Sequence, residues 1–214
     1  MQHKYLLPPS KSTHPKWDVF VSAFNDSQRV QKTFADVTAA RKYWVLLPEY
    51  DYAPMEYPHH GNLIVLTSQR EADQVSDLVE KLGNLRGLSI CFDITGFMRP
   101  QILFLIYYLE QLDIREFDIV YTEPEQYGRK EDTRFSDDVA FVRQVDGYEG
   151  THTDDVSDDI LIIGVGYDDG LVSRVVGDKD GAKPFQLLSL PSLSADMYQE
   201  SILRLDRTSL TVDP

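Results

Sequence analysis

Asp93, Thr95, Gly96 and Arg99 stand close together within "LSICFDITGFMRPQILFLIYYLEQL", residues 88–112. The stretch opens as an apolar strand and closes as an apolar helix, so the four fall at the hinge. An arginine there can pair with a phosphate through two parallel hydrogen bonds. A hydroxyl and the amides after a glycine can hydrogen-bond to the same anion. The types and spacing therefore point to binding of an anionic, nucleotide-like ligand. Gly96 is expected to free the backbone for a sharp turn. Pro100 suits the first helical turn, and Asp93 can anchor the loop by hydrogen bonds. Thr95 and Arg99 are left as the two residues that architecture does not require.

A second chemistry is carried by carboxylates. Glu123 and Glu125 in "YTEPEQY", with Asp168 or Asp169 in "GVGYDDG", sit where strands should end. A carboxylate there can serve as general acid or base, or hold a ribose hydroxyl. That alternative is an enzyme acting on a nucleoside or nicotinamide dinucleotide glycosidic bond, with Glu123 and Asp168 as the working groups. Other chemistries lack their patterns. After Gly164 and Gly166 the dinucleotide fingerprint needs a third glycine where Asp169 stands. Neither a Gly-x4-Gly-Lys-Ser/Thr loop nor a Gly-x-Ser-x-Gly elbow occurs. The five histidines have no metal-ligand spacing, and His152 among Glu149, Asp154 and Asp155 reads as a solvated acidic loop. No metal is assigned, and no cofactor is identified.

The elements that must position these residues alternate. Strands are read at 17–24, 42–50, 62–68, 88–95, 117–124, 139–145, 159–168 and 183–191. Helices are read at 27–40, 70–83, 100–112, 170–178 and 194–206. In 70–83, Ala72, Val75, Leu78, Val79 and Leu82 form one apolar face, ended by Gly83. Strands separated by helices of this length imply parallel pairing. Near-continuous apolar strands imply a sheet covered on both faces. The fold class is α/β, a three-layer Rossmann-like sandwich with a mostly parallel sheet. Its parts are an N-terminal extension (1–16), one α/β domain (17–206) and a C-terminal tail (207–214). Ligands of such sheets bind beyond the carboxyl ends of the strands. The candidate rim is thus Ser22, Asn25, Ser68, Arg70, Asp93, Thr95, Gly96 and Arg99.

The segment "FDITGFMRPQILFLIYYL" resembles the signature of CARF domains, Rossmann-like sensors of cyclic oligonucleotides. In that family a strand ends in an acid, a Ser or Thr and a Gly, with a basic residue before an apolar helix. Those positions fall on Asp93, Thr95, Gly96 and Arg99, and the loop after the first strand falls on Ser22 to Asp26. Phe97 stands where that family often has a small or polar residue. The resemblance implies a nucleotide sensor or regulatory domain, possible in a defence setting. The start, "DVFVSAFNDSQRV", is similar to the first strand of TIR domains, which would favour the enzyme alternative.

The whole composition limits partners. The 214 residues carry 35 acids against 21 lysines and arginines, a formal net charge of −14. That excludes a broad footprint on duplex nucleic acid and disfavours an anionic membrane surface. The lone Cys91 cannot form an intrachain disulfide, and a cytoplasmic setting is expected. No leader or membrane span is recognised in the sequence. A protein partner and homodimerisation stay open. Residues 131–159 hold ten carboxylates against two arginines, so a third alternative is an interaction subunit with a basic partner and no small ligand.

Overall fold

The computed structural model describes residues 15–123, 142–150, 155–164 and 169–187. The readings at 194–206, Glu125, His152 and Asp168 lie outside them. The chain divides into two compact units, and the stretch 17–206 spans both. Described residues 15–123 and 145–148 form the first; the other described residues belong to the second.

In the first unit, β1 (Lys16–Ala23), β2 (Thr38–Leu46), β3 (Asn62–Val65), β4 (Ile90–Asp93) and β5 (Asp118–Val120) form one sheet. Its order is β3-β2-β1-β4-β5, and every pairing is parallel. The helices are α1 (Gln28–Asp36), α2 (Glu71–Leu82) and α3 (Arg99–Gln111). Strand alternation sorts them into layers. Val19, Val21, Ala23, Val45, Ile64 and Phe92 face α2 and α3, where Val75, Leu78, Phe104 and Leu105 meet them. Phe20, Trp44, Leu46 and Cys91 face the other way, against Val30 and Phe34 of α1. This is the three-layer Rossmann-like sandwich expected from the sequence.

Element boundaries moved where pairing outweighed local propensity. The helix read at 27–40 stops at Asp36, and Thr38 already pairs with Lys16 of β1. Val37 turns the chain, its N–H donating to the Thr33 carbonyl. Lys42, in the strand, donates to the Phe34 and Val37 carbonyls and so satisfies the end of α1. Its ammonium also lies 4.5 Å from the Phe34 ring centre. The strand read at 42–50 ends at Leu46, after which Pro48–Tyr50 and Pro54–Glu56 form 3-10 turns. Residues 142–145, read as part of a strand, carry none. Instead 145–148 docks on the first unit: the Asp146 N–H donates to Glu71, and the Tyr148 hydroxyl to the Leu103 carbonyl.

Cys91 is fully buried in β4. Burial pushes its thiol up, and the Asp118 and Asp93 carboxylates push the same way. The thiolate is the reacting species. Cys91 is therefore expected to stay silent toward an aromatic disulfide reagent over hours in buffer. It should react at once in denaturant; fast reaction in buffer would contradict its burial.

In the second unit, β6 (Ile160–Gly164), α4 (Asp169–Asp178) and β7 (Lys183–Leu187) make a strand–helix–strand unit with a two-stranded parallel sheet. Among the described residues these strands, read as members of the main sheet's series, pair with each other and not with that sheet. Ile163 and Val172 are buried together, flanked by Leu161 and Val176. The row Ile160, Ile162, Phe185 and Leu187 is exposed. Among the described residues no helix is long and apolar enough to cross a membrane.

Candidate functional site

The order β3-β2-β1-β4-β5 reverses direction between β1 and β4, and that is the topological switch point where open parallel sheets bind ligands. Ser22 and Asp93 are paired neighbours there. The Ser22 hydroxyl donates to Asp93 Oδ2 at 2.8 Å, with both residues fully buried. Asp93 Oδ1 accepts from both the Thr95 N–H, at 3.1 Å, and the Thr95 hydroxyl. The Thr95 hydroxyl in turn accepts the Thr122 N–H at 3.0 Å. The chain continues through the Thr122 and Thr33 hydroxyls, 2.8 Å apart, while Arg29 donates to the Thr122 carbonyl. Arg29 also lies 5.8 Å from the Tyr121 ring centre.

Burial raises the Asp93 carboxyl above its ordinary value; the Thr95 and Ser22 hydrogen bonds and the Arg29 charge act against it. The loss of hydration outweighs them, and among the described residues no cation bonds Asp93 directly. Asp93 thus anchors the loop, as its place before the turn suggested. Thr95 does the same work, tying β4 to the residue after β5. It therefore has an architectural role that its sequence reading as a ligand residue did not include.

Gly96 does lie in a tight turn, where the Phe97 N–H donates to the Ile94 carbonyl at 3.2 Å, but a further reason requires a glycine there. It does not have a positive φ. A Cβ at this position would stand 2.3 Å from the Ala23 carbonyl oxygen and 3.2 Å from Asn25 Nδ2. Only a glycine lets the β4–α3 loop lie directly across the end of β1. The Tyr50 hydroxyl donates to the Gly96 carbonyl at 2.8 Å, and Asn25 Nδ2 lies 3.4 Å from the same hydroxyl. Asn25 Oδ1 accepts the Ser27 N–H, shaping the entry to α1.

Ser22, Asn25, Asp93, Thr95 and Gly96 are therefore brought together. Arg99 begins α3 just beyond them, exposed, with no hydrogen bond or ion pair to a described residue. Ser68 and Arg70 are not part of the group. They follow β3, two strands from β1, or about 10 Å at ordinary strand spacing. Ser68 donates to Asp73, and Arg70 reaches both oxygens of Asp146 at 3.2 Å. Glu123 is exposed after β5, and Asp168 lies outside the described residues.

A polar cluster went unread in the sequence. Gln74 and Gln101, both buried, meet Glu49 at the carboxyl rim. Gln74 Nε2 donates to Glu49 Oε1 at 2.8 Å and to the Ser68 carbonyl at 2.7 Å. Gln101 Nε2 donates to the same Glu49 oxygen at 3.0 Å and to Gln74 Oε1 at 2.6 Å. Gln101 Oε1 accepts the Met98 N–H, closing the first turn of α3. The cluster locks α2, α3 and the turn after β2 to one another.

A cavity of about 710 Å³ lies at the opposite end of the strands. Its lining includes Arg86, Ser89, Asp113 and Arg115. Arg86 donates to the Leu112 carbonyl and Arg115 pairs with Asp113, so both cations are engaged. The switch point is the better candidate because its polar groups converge. A smaller cavity, about 240 Å³, opens on the α1 face.

Comparison with protein-family models, curated proteins and solved structures returned no match. Fold and site together define a Rossmann-like α/β protein with a polar switch point.

Proposed function

We propose that the protein binds an anionic, nucleotide-like ligand at the β1–β4 switch point and acts as a sensor or regulatory domain. The observation that carries this is Arg99. It is exposed and uncommitted at the first residue of α3, directly after the loop that crosses β1. A phosphate there would meet the guanidinium and the first-turn N–H groups that a helix leaves without internal partners. Asn25, beside Gly96 at the end of β1, would supply neutral hydrogen bonds. Ser22, Asp93, Thr95 and Gly96 would hold the loop in place without touching the ligand. The regulatory role, with cyclic oligonucleotides as the ligand class, is what the resemblance to CARF domains supports. The setting would be a reducing cytoplasm, in keeping with a lone buried cysteine.

The test is thermal unfolding with cyclic oligonucleotides and mononucleotides. A ligand at 100 times its Kd adds about 2.7 kcal/mol of stability, which moves Tm by several degrees. Arg99→Ala is expected to weaken binding at least tenfold, and added salt to weaken it in the wild type. No shift with any nucleotide, or an equal shift in Arg99→Ala, would sink the reading.

A further inference from the structure

Tyr121 stands at the carboxyl rim of the sheet, directly after β5, and is 53% exposed. A single exposed aromatic is ordinary on a protein surface. What sets this one apart is how firmly the chain on either side of it is held. Before it, the Val120 carbonyl accepts the Ile94 N–H at 2.9 Å. After it, every polar group of Thr122 is engaged. The Thr122 N–H donates to the Thr95 hydroxyl at 3.0 Å, and its carbonyl accepts from Arg29 at 3.0 Å. Its hydroxyl meets that of Thr33 at 2.8 Å. These partners come from the β4–α3 loop and from α1, so two elements fix one position on the rim.

Arg29 supplies the second observation. Its guanidinium lies over the Tyr121 ring, 5.8 Å from the centre, within cation–π range. Among the described residues no carboxylate pairs with it. Its charge acts on Asp93, which places it beside the switch point. The ring is thus backed by a cation, while the rest of its surface is open to solvent. A contact group held in place before the ligand arrives loses little freedom on binding. Thr95 connects the ring to Arg99. It bonds Thr122, and Arg99 follows it by four residues, about 14 Å of chain at full stretch.

We infer that Tyr121 is the stacking platform for the base of the ligand, so that the site selects a nucleotide over a bare sugar phosphate. The inference rests on the phosphate reading at Arg99 and assigns the other half of the same ligand. Every base has a flat face, and stacking one on an aromatic side chain raises affinity about 5- to 150-fold. The charge of the protein favours such a division. At a formal net charge of −14 the molecule as a whole repels phosphate. An uncharged base therefore contributes affinity that phosphate contacts alone do not supply, and Arg29 opposes the repulsion beside the ring.

The full chain would be titrated by calorimetry with adenosine 5′-monophosphate and with ribose 5-phosphate, which carries the phosphate without the base. The nucleotide is expected to bind at least about fivefold tighter. Tyr121→Ala should erase that margin and leave ribose 5-phosphate unchanged. Tyr121→Phe keeps the ring and should bind both ligands as wild type does. Because Tyr121 is exposed, these variants should melt near wild type. In Tyr121→Trp, the nucleotide should quench the fluorescence that the added indole contributes beyond Trp17 and Trp44, and ribose 5-phosphate should not. Arg99→Ala tests the phosphate reading separately and should weaken both ligands in parallel. Nucleotide affinity that falls in Arg99→Ala but not in Tyr121→Ala would overturn the stacking and leave the phosphate reading standing. An equal loss in Tyr121→Phe and Tyr121→Ala would also overturn it, by assigning the contact to the hydroxyl. No binding of either ligand would overturn both readings.

Discussion

Gly96→Ala is expected to be the most damaging single methyl in the first unit. The added Cβ would stand 2.3 Å from the Ala23 carbonyl oxygen, a backbone atom in the middle strand of the sheet. No side-chain rotation can relieve that contact. Either β1 or the β4–α3 loop must move, and the loop is fixed by Asp93, by Thr95 and by the Tyr50 hydroxyl on the Gly96 carbonyl. Overpacking against well-held structure costs about 1–3 kcal/mol and at times more; this site should fall at the upper end. For a unit of this size that lowers Tm by roughly 10 °C or more. Urea and thermal melts would check it. Gly177→Ala is the matched control, since α4 leaves open space around that position. There the same methyl should stabilise by about 0.5–1 kcal/mol, through helix propensity alone. A Gly96→Ala protein as stable as wild type would mean that the loop does not lie on β1.

The contrast shows what a sequence can disclose about this hinge. That Gly96 matters was legible, because a glycine between an apolar strand and an apolar helix invites a backbone explanation. The particular explanation was not legible, since the close approach to Ala23 joins residues 73 positions apart. The core layers were legible for a similar reason. Alternation in β1 and the helical face of α2 are local patterns, and burial follows them. The polar cluster at the rim was partly visible. Carrying the α2 stripe of Val75, Leu78 and Val79 back by one turn lands on Glu71 and Gln74. Two polar residues on the buried face of a helix announce hydrogen bonds, although not their partners. The architectural role of Thr95 was not legible because its second partner, the Thr122 N–H, comes from the loop after β5. The separate pairing of β6 with β7 was beyond reach, since a period of two marks a strand without naming its neighbour.

Asp93 carries the second large prediction, and its two substitutions should diverge. Asp93→Ala removes the acceptor for three donors at once: the Ser22 hydroxyl, the Thr95 hydroxyl and the Thr95 N–H. Ser22 and Asp93 are fully buried, so water cannot replace the carboxylate without opening the sheet end. Unsatisfied buried donors cost about 1–3 kcal/mol each, and the set should cost about 3–5 kcal/mol after relaxation. Asp93→Asn keeps a carbonyl oxygen for the two Thr95 donors and turns its amide toward the Ser22 oxygen, which can accept. It also removes a charge that burial penalises. The pH dependence follows from the raised carboxyl value in the fold. Between the unfolded value, about 3.9, and the raised folded value, the native state binds the extra proton. Stability from the protonated acid is therefore complete below about pH 3.9 and is lost as pH rises through the folded value. Other carboxylates work in the opposite sense: hydrogen bonds from Ser89 lower Asp18, and those from Ser157 lower Asp155. The difference between wild type and Asp93→Asn cancels them. That difference should shift in favour of asparagine as pH rises from the acid side to neutrality, then level off. Melts of both proteins across that range would show it. Parallel curves would mean that folding does not move the Asp93 carboxyl, and a drift toward wild type with rising pH would mean that it is held as a favourable anion. Arg29 would then be its true counter-charge.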